Sequence, residues 1–585
     1  MIHNSRLKNR TVKVSAVLLT LISLISVLGL TPQPTAAQAQ SQLWASVIGL
    51  PVTVQLHDVF MVDERVAWAV GEERDRGVIY RLHLQNGRWE VAFETAAPAP
   101  LRAVVALHEA NVWAVGDRGT IVHKDGSGWQ MLPTLSSSPN LRTIQMLGAG
   151  EEGWVGGSFP PTPDEQAPRP ALFHYRQGQW QQDPGLAGSG QIEHLHLAAG
   201  AGWAVGDHIW RYAEGSWTVE EEPFACGENF PCPRTLSAVR AVNADEAWAV
   251  GSRHAICAVC VTRPHVLHRQ NGVWQRVLDV PSGSTNRQSS GAFEGASFAA
   301  DGTGLLVGWY DRGIVDSNTG SFDTRARPLI VRYQGQQWRQ ETLPTDRGAL
   351  NAVSLLDSGH ALAVGRAGLI LAYGYGTQPN PAAQVADPRD SNVTYFAPVG
   401  HTLKGSFRSY WMRNGGLSVF GYPLTEEFRE VNSDTGQPYD VQYLERQRYE
   451  FHPELRGTPY EVLLGWLGVE MLQRQGRDWT TFEKAAPAAP HFFAETGHAI
   501  APQFWDYWRT HGLQLDGQPM VTAQESLALF GYPILEPQVE TNSSGDRVLT
   551  QWFERARFEY HPHNPAPYQM LLGRLAAEQL MERGW

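Results

Sequence analysis

Cysteine, long apolar runs and positive charge are the scarce features of this chain, and each scarcity excludes something. Only four cysteines occur in 585 residues, all between Cys226 and Cys260, so no disulfide network can span the chain. One uncharged apolar run approaches membrane length, Val14–Leu30, at the lower limit for a span. Arg6, Lys8, Arg10 and Lys13 precede it and Ala37-Gln-Ala39 follows. That order predicts an export signal over residues 1–39, cleaved after Ala39, with an uncleaved anchor as the alternative. No other segment could cross a bilayer. Basic residues number 47 against 59 acidic ones, a net charge of −12, and losing the four basic residues of the signal makes it −16. This argues against nucleic acid, whose phosphates need a basic face, and against electrostatic docking on anionic lipid. An ordinary helical period is also missing from the first two thirds.

What is present there is repetition. Trp-Ala-Val-Gly stands at Trp68–Gly71, Trp113–Gly116, Trp203–Gly206 and Trp248–Gly251, with looser copies at Trp154–Gly157, Leu305–Gly308 and Leu362–Gly365. Each copy sits in a longer unit. The unit opens Leu-x-x-Val, as in Leu101–Val104, Leu236–Val239 and Leu350–Val353. An apolar stretch such as Thr120–His123 follows, and a turn with tryptophan closes it, as in Asn86–Trp89, Gly178–Trp180 and Gly335–Trp338. Four short β-type segments per unit and seven units at a period of about 45 predict a seven-bladed β-propeller over residues 40–376. The seventh unit lacks its closing strand, and Ser41–Pro51 is an unmatched strand with a tryptophan. This N-terminal strand is therefore expected to complete the last blade. The tryptophans, 21 in all, recur at fixed repeat positions and read as packing between blades.

The longest insertions fall between second and third strands (Gly157–Pro170, Gly251–Pro264, Gly308–Pro328) or between blades (Glu220–Arg234, Val280–Gly291). In a propeller these open on one face, and insertions collect where contacts form. A ligand is expected on that face, with Trp309, Tyr310, Asp311, Asp316, Asn318 and Asp323 as candidate binding residues. The alternating oxygens around Gly320 suit Ca2+ only in part, and an Asx-rich turn is the plainer reading. Cys226, Cys232, Cys257 and Cys260 fall in loops of the same face. Two disulfides are the leading reading outside the cytoplasm, and a four-thiolate Zn2+ site is the alternative. His194 and His196 share one strand face and could meet a metal, but no third ligand is visible. No catalytic residue is assigned, and no cofactor or metal is expected.

Beyond a linker at 377–392, a unit of about a hundred residues occurs twice, at 393–472 and 491–585, joined by a linker at 473–490. Phe420-Gly-Tyr-Pro423 answers Phe530-Gly-Tyr-Pro533, and Leu463-Leu-Gly465 answers Leu571-Leu-Gly573. Glu445-Arg-x-Arg-x-Glu-x-His452 answers Glu554-Arg-x-Arg-x-Glu-x-His561. The glutamate and histidine could serve acid–base chemistry, but an ion-pair ladder is the plainer reading. Two small α+β modules in tandem suggest a multivalent binder.

The units carrying Trp113–Ile121 and Leu362–Ile370 resemble repeats of the bacterial neuraminidase (BNR) type, most nearly the branch related to the photosystem II assembly factor. That resemblance implies a propeller. The arginine triad, nucleophilic tyrosine and Ser-x-Asp-x-Gly-x-x-Trp boxes of sialidases are not matched here. Trp411–Glu426, with its Gly415-Gly416 and Phe420-Gly-Tyr-Pro423, resembles the LGFP repeat, which implies attachment to the cell envelope. The combined expectation is an exported, non-enzymatic, monomeric scaffold. Its loop face binds protein or glycan and its tail meets the envelope. The rival expectation is a glycoside hydrolase using rim carboxylates among Glu294, Asp311, Asp316 and Asp323.

Overall fold

The computed structural model describes residues 44–162, 164–165, 167–183, 186, 190–198, 200–220, 234–254, 261–284, 289–312, 325–376, 380–432, 435–583 and 585. Residues 44–373 are all-β, built of seven four-stranded antiparallel sheets. Sheets one to seven open with Gln55–Met61, Leu101–His108, Asn140–Leu147, Ile192–Ala198, Arg234–Ala241, Gly291–Phe298 and Leu350–Asp357. In the first six, four consecutive strands pair in chain order. Sheet seven takes its fourth strand from the other end: Trp44–Val47 pairs with Ile370–Tyr373. The first strands lie side by side in series, and that of sheet one touches those of both sheet two and sheet seven.

The repeated residues hold neighbouring sheets together. The Trp of the Trp-Ala-Val-Gly run meets the closing Trp of the next sheet edge-on. The five pairs are Trp68–Trp129, Trp113–Trp180, Trp154–Trp217, Trp203–Trp274 and Trp248–Trp338, with centroids 5.4–6.2 Å apart. Such edge-to-face contacts add to the area that each ring buries. Where leucine replaces the tryptophan, the pattern persists: Leu305 packs in one core with Trp44, and Leu362 in another with Trp89.

The glycine of the run has a different cause. In all seven sheets a Cβ on it would fall 1.9–2.1 Å from the carbonyl oxygen preceding the unit's leading apolar residue. That close approach accompanies a bulge, in which one first-strand residue is skipped in the pairing register. Bulges re-aim a side chain.

In the tail, each copy carries a two-stranded ribbon, two helices, a four-stranded sheet and a closing helix. The copies do not stand apart, as independent tandem modules would. One core joins Phe407, Tyr410 and Tyr449 to Phe504, Phe530 and Phe558, and another joins Tyr443 and Leu467 to Trp552 and Leu575. The exchange is reciprocal: Val469 N–H donates to Glu554 O, and Ala577 N–H donates to Glu445 O. The segment expected as a linker contributes Trp479 and Phe482 to the shared packing. The tail also meets the sheet array. Val431 N–H donates to Gly49 O at 3.0 Å, Arg474 Nη1 donates to Val52 O at 2.8 Å, and Val431 is buried in the core of sheets one and seven. No helix among the described residues is long and apolar enough to cross a membrane.

Candidate functional site

The skipped residues of the seven bulges are His57, Arg102, Arg142, Glu193, Ser237, Glu294 and Asn351. All seven line one cavity of about 330 Å3, to which every first strand contributes. A bulge therefore aims one side chain per sheet at a common mouth. The mouth lies at the ends of the second strands, because Glu72 near the end of one and Asp117 just after the next hold His57, Arg102 and Arg142.

Charge is divided around it. Sheets one to three supply His57, Arg102 and Arg142. Arg102 is clamped by Asp117, whose Oδ2 accepts from Nη2 at 2.6 Å and Nε at 3.2 Å. His57 Nε2 lies 2.6 Å from Arg102 Nη1 and 3.3 Å from Glu72 Oε1. One nitrogen cannot accept from the first and donate to the second. Burial pushes the His57 pKa down, so the ring is neutral and Nε2 accepts from Arg102, the shorter contact. Arg142 is held less tightly: among the described residues its nearest carboxylate oxygen, on Asp117, is 3.7 Å away and its Nε has no partner.

Sheets four and six supply Glu193 and Glu294. Burial raises the Glu193 pKa, and the charges of Asp207 and Glu294 push the same way against the pull of Arg142. Gln191 Nε2 donates to Glu193 Oε1 at 2.6 Å, and Trp309 Nε1 donates to Glu294 Oε1 at 3.0 Å.

No family model matches the chain, and no curated protein does. Solved structures similar to it include YCF48 bound to D1 peptide, at 15% identity and a TM-score of 0.37, covering 56% of this chain and 96% of that one. The WD40 β-propeller domain of Doa1 has 11% identity and a TM-score of 0.38, covering 57% and 95%. YCF48 from Cyanidioschyzon merolae has 14% identity and a TM-score of 0.37, covering 57% and 98%.

The residues singled out in the sequence fall differently. Trp309 stands behind the cavity and holds Glu294. Tyr310 packs over Gly283, and buried Asp311 accepts from Ser290 N–H at 2.8 Å. Asp316, Asn318, Asp323 and the four cysteines lie outside the described residues. The tryptophans of the Trp-Ala-Val-Gly runs are buried between sheets, and the closing Trp129, Trp180 and Trp338 are half-buried there. Of the ring, only Glu294 had been singled out. His194 lines the cavity one position deeper. Its Nδ1 accepts from Val239 N–H at 3.5 Å, and that of His196 accepts from Ala241 N–H at 3.2 Å. Among the described residues, one trio could hold a metal ion: Glu64, Asp357 and His360, with ligand atoms within 4.8 Å of one another.

His194 gives the array an acid sensitivity. Burial, assisted by the Arg240 charge, lowers its pKa from 6.5 to about 4. The folded state thus favours the neutral ring. Its contribution is complete above pH 6.5 and is lost as pH falls through 4, at a cost of about 3 kcal/mol. His194→Gln, which keeps an acceptor for Val239, is expected to flatten the fall of the melting midpoint between pH 6.5 and 4. An unchanged slope would show that His194 does not titrate in this way.

Proposed function

We propose that the seven sheets are the blades of one closed propeller, sealed by Trp44–Val47, and that the bulge ring at its mouth binds a ligand. Seven sheets in series, with the first touching the last, support closure. The observation that carries the binding reading is the divided charge of the ring: a basic arc at Arg102 and Arg142 faces an acidic arc at Glu193 and Glu294. Such a mouth suits a protein or glycan surface bearing charges of both signs, and polar complementarity of this kind sets specificity. The export signal expected over residues 1–39 supports a location outside the cytoplasm. The tail serves attachment or recognition at the envelope, with the polar groove of about 990 Å3 between its copies as the contact surface.

The test is a binding screen of residues 40–585 against envelope polysaccharides, a glycan array and a peptide array. Arg142→Met and Glu294→Gln are each expected to weaken the ring ligand tenfold or more, about 1.4 kcal/mol. Binding that ignores both variants would move the site to the tail.

One observation favours a second reading, glycoside hydrolysis. Glu193 shares a cavity with Glu294, and burial raises the Glu193 pKa, the direction in which such chemistry sets its general acid apart from a second carboxylate. Product release in the screen, abolished by Glu193→Gln, would establish it.

A further inference from the structure

Six of the seven sheets carry a basic residue on the third strand, opposite the Trp or Leu that opens the Trp-Ala-Val-Gly run. It is Arg81, Arg211 and Arg332 in sheets one, four and six, and His123, His174 and His268 in sheets two, three and five. Each arginine reaches the turn between the first and second strands of the next sheet. Arg81 pairs with Glu109, Arg211 lies 3.8 Å from Asp245, and Arg332 Nη1 donates to Ser358 O at 3.3 Å.

Where sheet seven meets sheet one, that cation is missing. The corresponding residue is Ala372, opposite Leu362. The turn of sheet one nevertheless carries Asp63 and Glu64. Asp63 is used locally, since its Oδ1 accepts from the N–H groups of Arg65 at 2.7 Å and Val66 at 2.9 Å. Glu64 has no ion pair or hydrogen bond among the described residues. It meets donor atoms of sheet seven instead: its carboxylate, that of Asp357 and a ring nitrogen of His360 all lie within 4.8 Å of one another. Asp357 and His360 flank the turn of sheet seven, and His360 Nδ1 is 3.1 Å from both Asp357 oxygens. The Tyr375 ring lies 5.1 Å from that of His360, and its hydroxyl is enclosed without a partner. Burial raises the Tyr375 pKa, and the charges of Glu64, Asp357 and Asp63 push the same way, so this hydroxyl sits in the field of the same carboxylates. Arg332, which reaches the turn from sheet six, is engaged by Glu341 at 3.1 Å.

Neighbouring carboxylates repel unless a cation lies between them. Carboxylate oxygen and imidazole nitrogen together suit a divalent transition-metal ion, bound at about 2.0–2.2 Å, which sets its ligands about 3–4 Å apart. Glu64 is exposed, and a swing of its side chain closes the shell. We propose that Glu64, Asp357 and His360 bind a divalent transition-metal ion of the Zn2+ class, and that the ion clips sheet one to sheet seven. The site lies at the opposite end of the strands from the mouth. The proposal rests on the adjacency of sheets one and seven in the closed array, and not on what the mouth binds.

The probe is ZnCl2 added to the untagged, metal-stripped chain of residues 40–585, with MgCl2 at equal ionic strength as the control. A saturable rise of the melting midpoint is expected, about 3 °C at a hundredfold excess over Kd. Titration calorimetry should find one equivalent of Zn2+ fewer on Glu64→Gln, and that variant should lose the rise. Glu64→Gln leaves the contact of Asp357 with His360 in place, and at an exposed position it costs little stability. No rise, an equal rise in MgCl2, or a rise and stoichiometry that Glu64→Gln retains each overturn the proposal. Deleting residues 40–50 reports on closure separately. If that deletion lowers the midpoint while Zn2+ has no effect, the clip is refuted and the ring stands.

Discussion

Deleting residues 40–50 is expected to lower the melting midpoint by about 10 °C or more. The deletion removes the strand Trp44–Val47, whose pairing with Ile370–Tyr373 completes sheet seven. It takes away Trp44, Val47 and Leu50, each at most 5% exposed. Burying one such side chain is worth about 1.5–3 kcal/mol. Leu305 loses its tryptophan partner, and the Ile370–Tyr373 edge is left unpaired, a template for aggregation. The loss extends to the tail, because Gly49 O accepts from Val431 N–H. Differential scanning calorimetry of the shortened chain checks this. A midpoint within a degree or two of the full chain would mean that the array does not depend on its terminal strand, and closure would fall with it.

The strands of the array were legible in the sequence because Leu-x-x-Val and Trp-Ala-Val-Gly repeat in a fixed order. The tryptophans were read as packing for the same reason. The ring at the mouth was not found, and the cause is physical. Alternation assigns each strand residue to one of two faces, and a bulge suspends that rule for one residue. Its signal was on view: the glycine at the end of the run, needed where a carbonyl occupies the place of a Cβ. The residue after the leading apolar residue of each unit is the one that the pairing skips, and it is Arg, Glu, His, Asn or Ser in all seven units. The interlocked tail was also missed, since a duplicated sequence suggests two independent bodies. The helix Leu467–Arg474 hinted otherwise. Six consecutive residues of it, Leu467–Leu472, are buried, and a helix apolar on most sides is enclosed by partners.

Arg448→Met is expected to cost about 3–5 kcal/mol, because it strands carboxylates that cannot leave the core. Arg448 donates to Glu450 Oε1 at 2.6 Å and to Glu470 Oε1 at 2.8 Å, and Glu430 lies 3.7 Å away. All four residues are at most 4% exposed. Gly465 belongs to the same arrangement: a Cβ there would lie 2.8 Å from the guanidinium, which accounts for the Leu-Leu-Gly motif. The second copy repeats it with Arg557, Glu559, Glu578 and Gly573. These repeated charges are therefore structural, and no catalytic role for them is needed. Burial works to raise the Glu450 pKa, but the Arg448 charge and the hydrogen bonds from Arg448 and Asn432, with His452 3.8 Å away, hold it at about 2. In the wild type this depressed group stabilises the fold above pH 4.5 and ceases to do so as pH falls through 2. In the variant, burial prevails and the folded pKa rises above the unfolded one, so stability is lost as pH rises. The gap between the two proteins should be widest at neutral pH and narrow towards pH 4. Urea melts at pH 7.5 and 4.5 measure both. A gap below about 1 kcal/mol, or one that does not change with pH, would show that the carboxylates find other partners. Arg583, already 2.7 Å from Glu430, is the first of these to test.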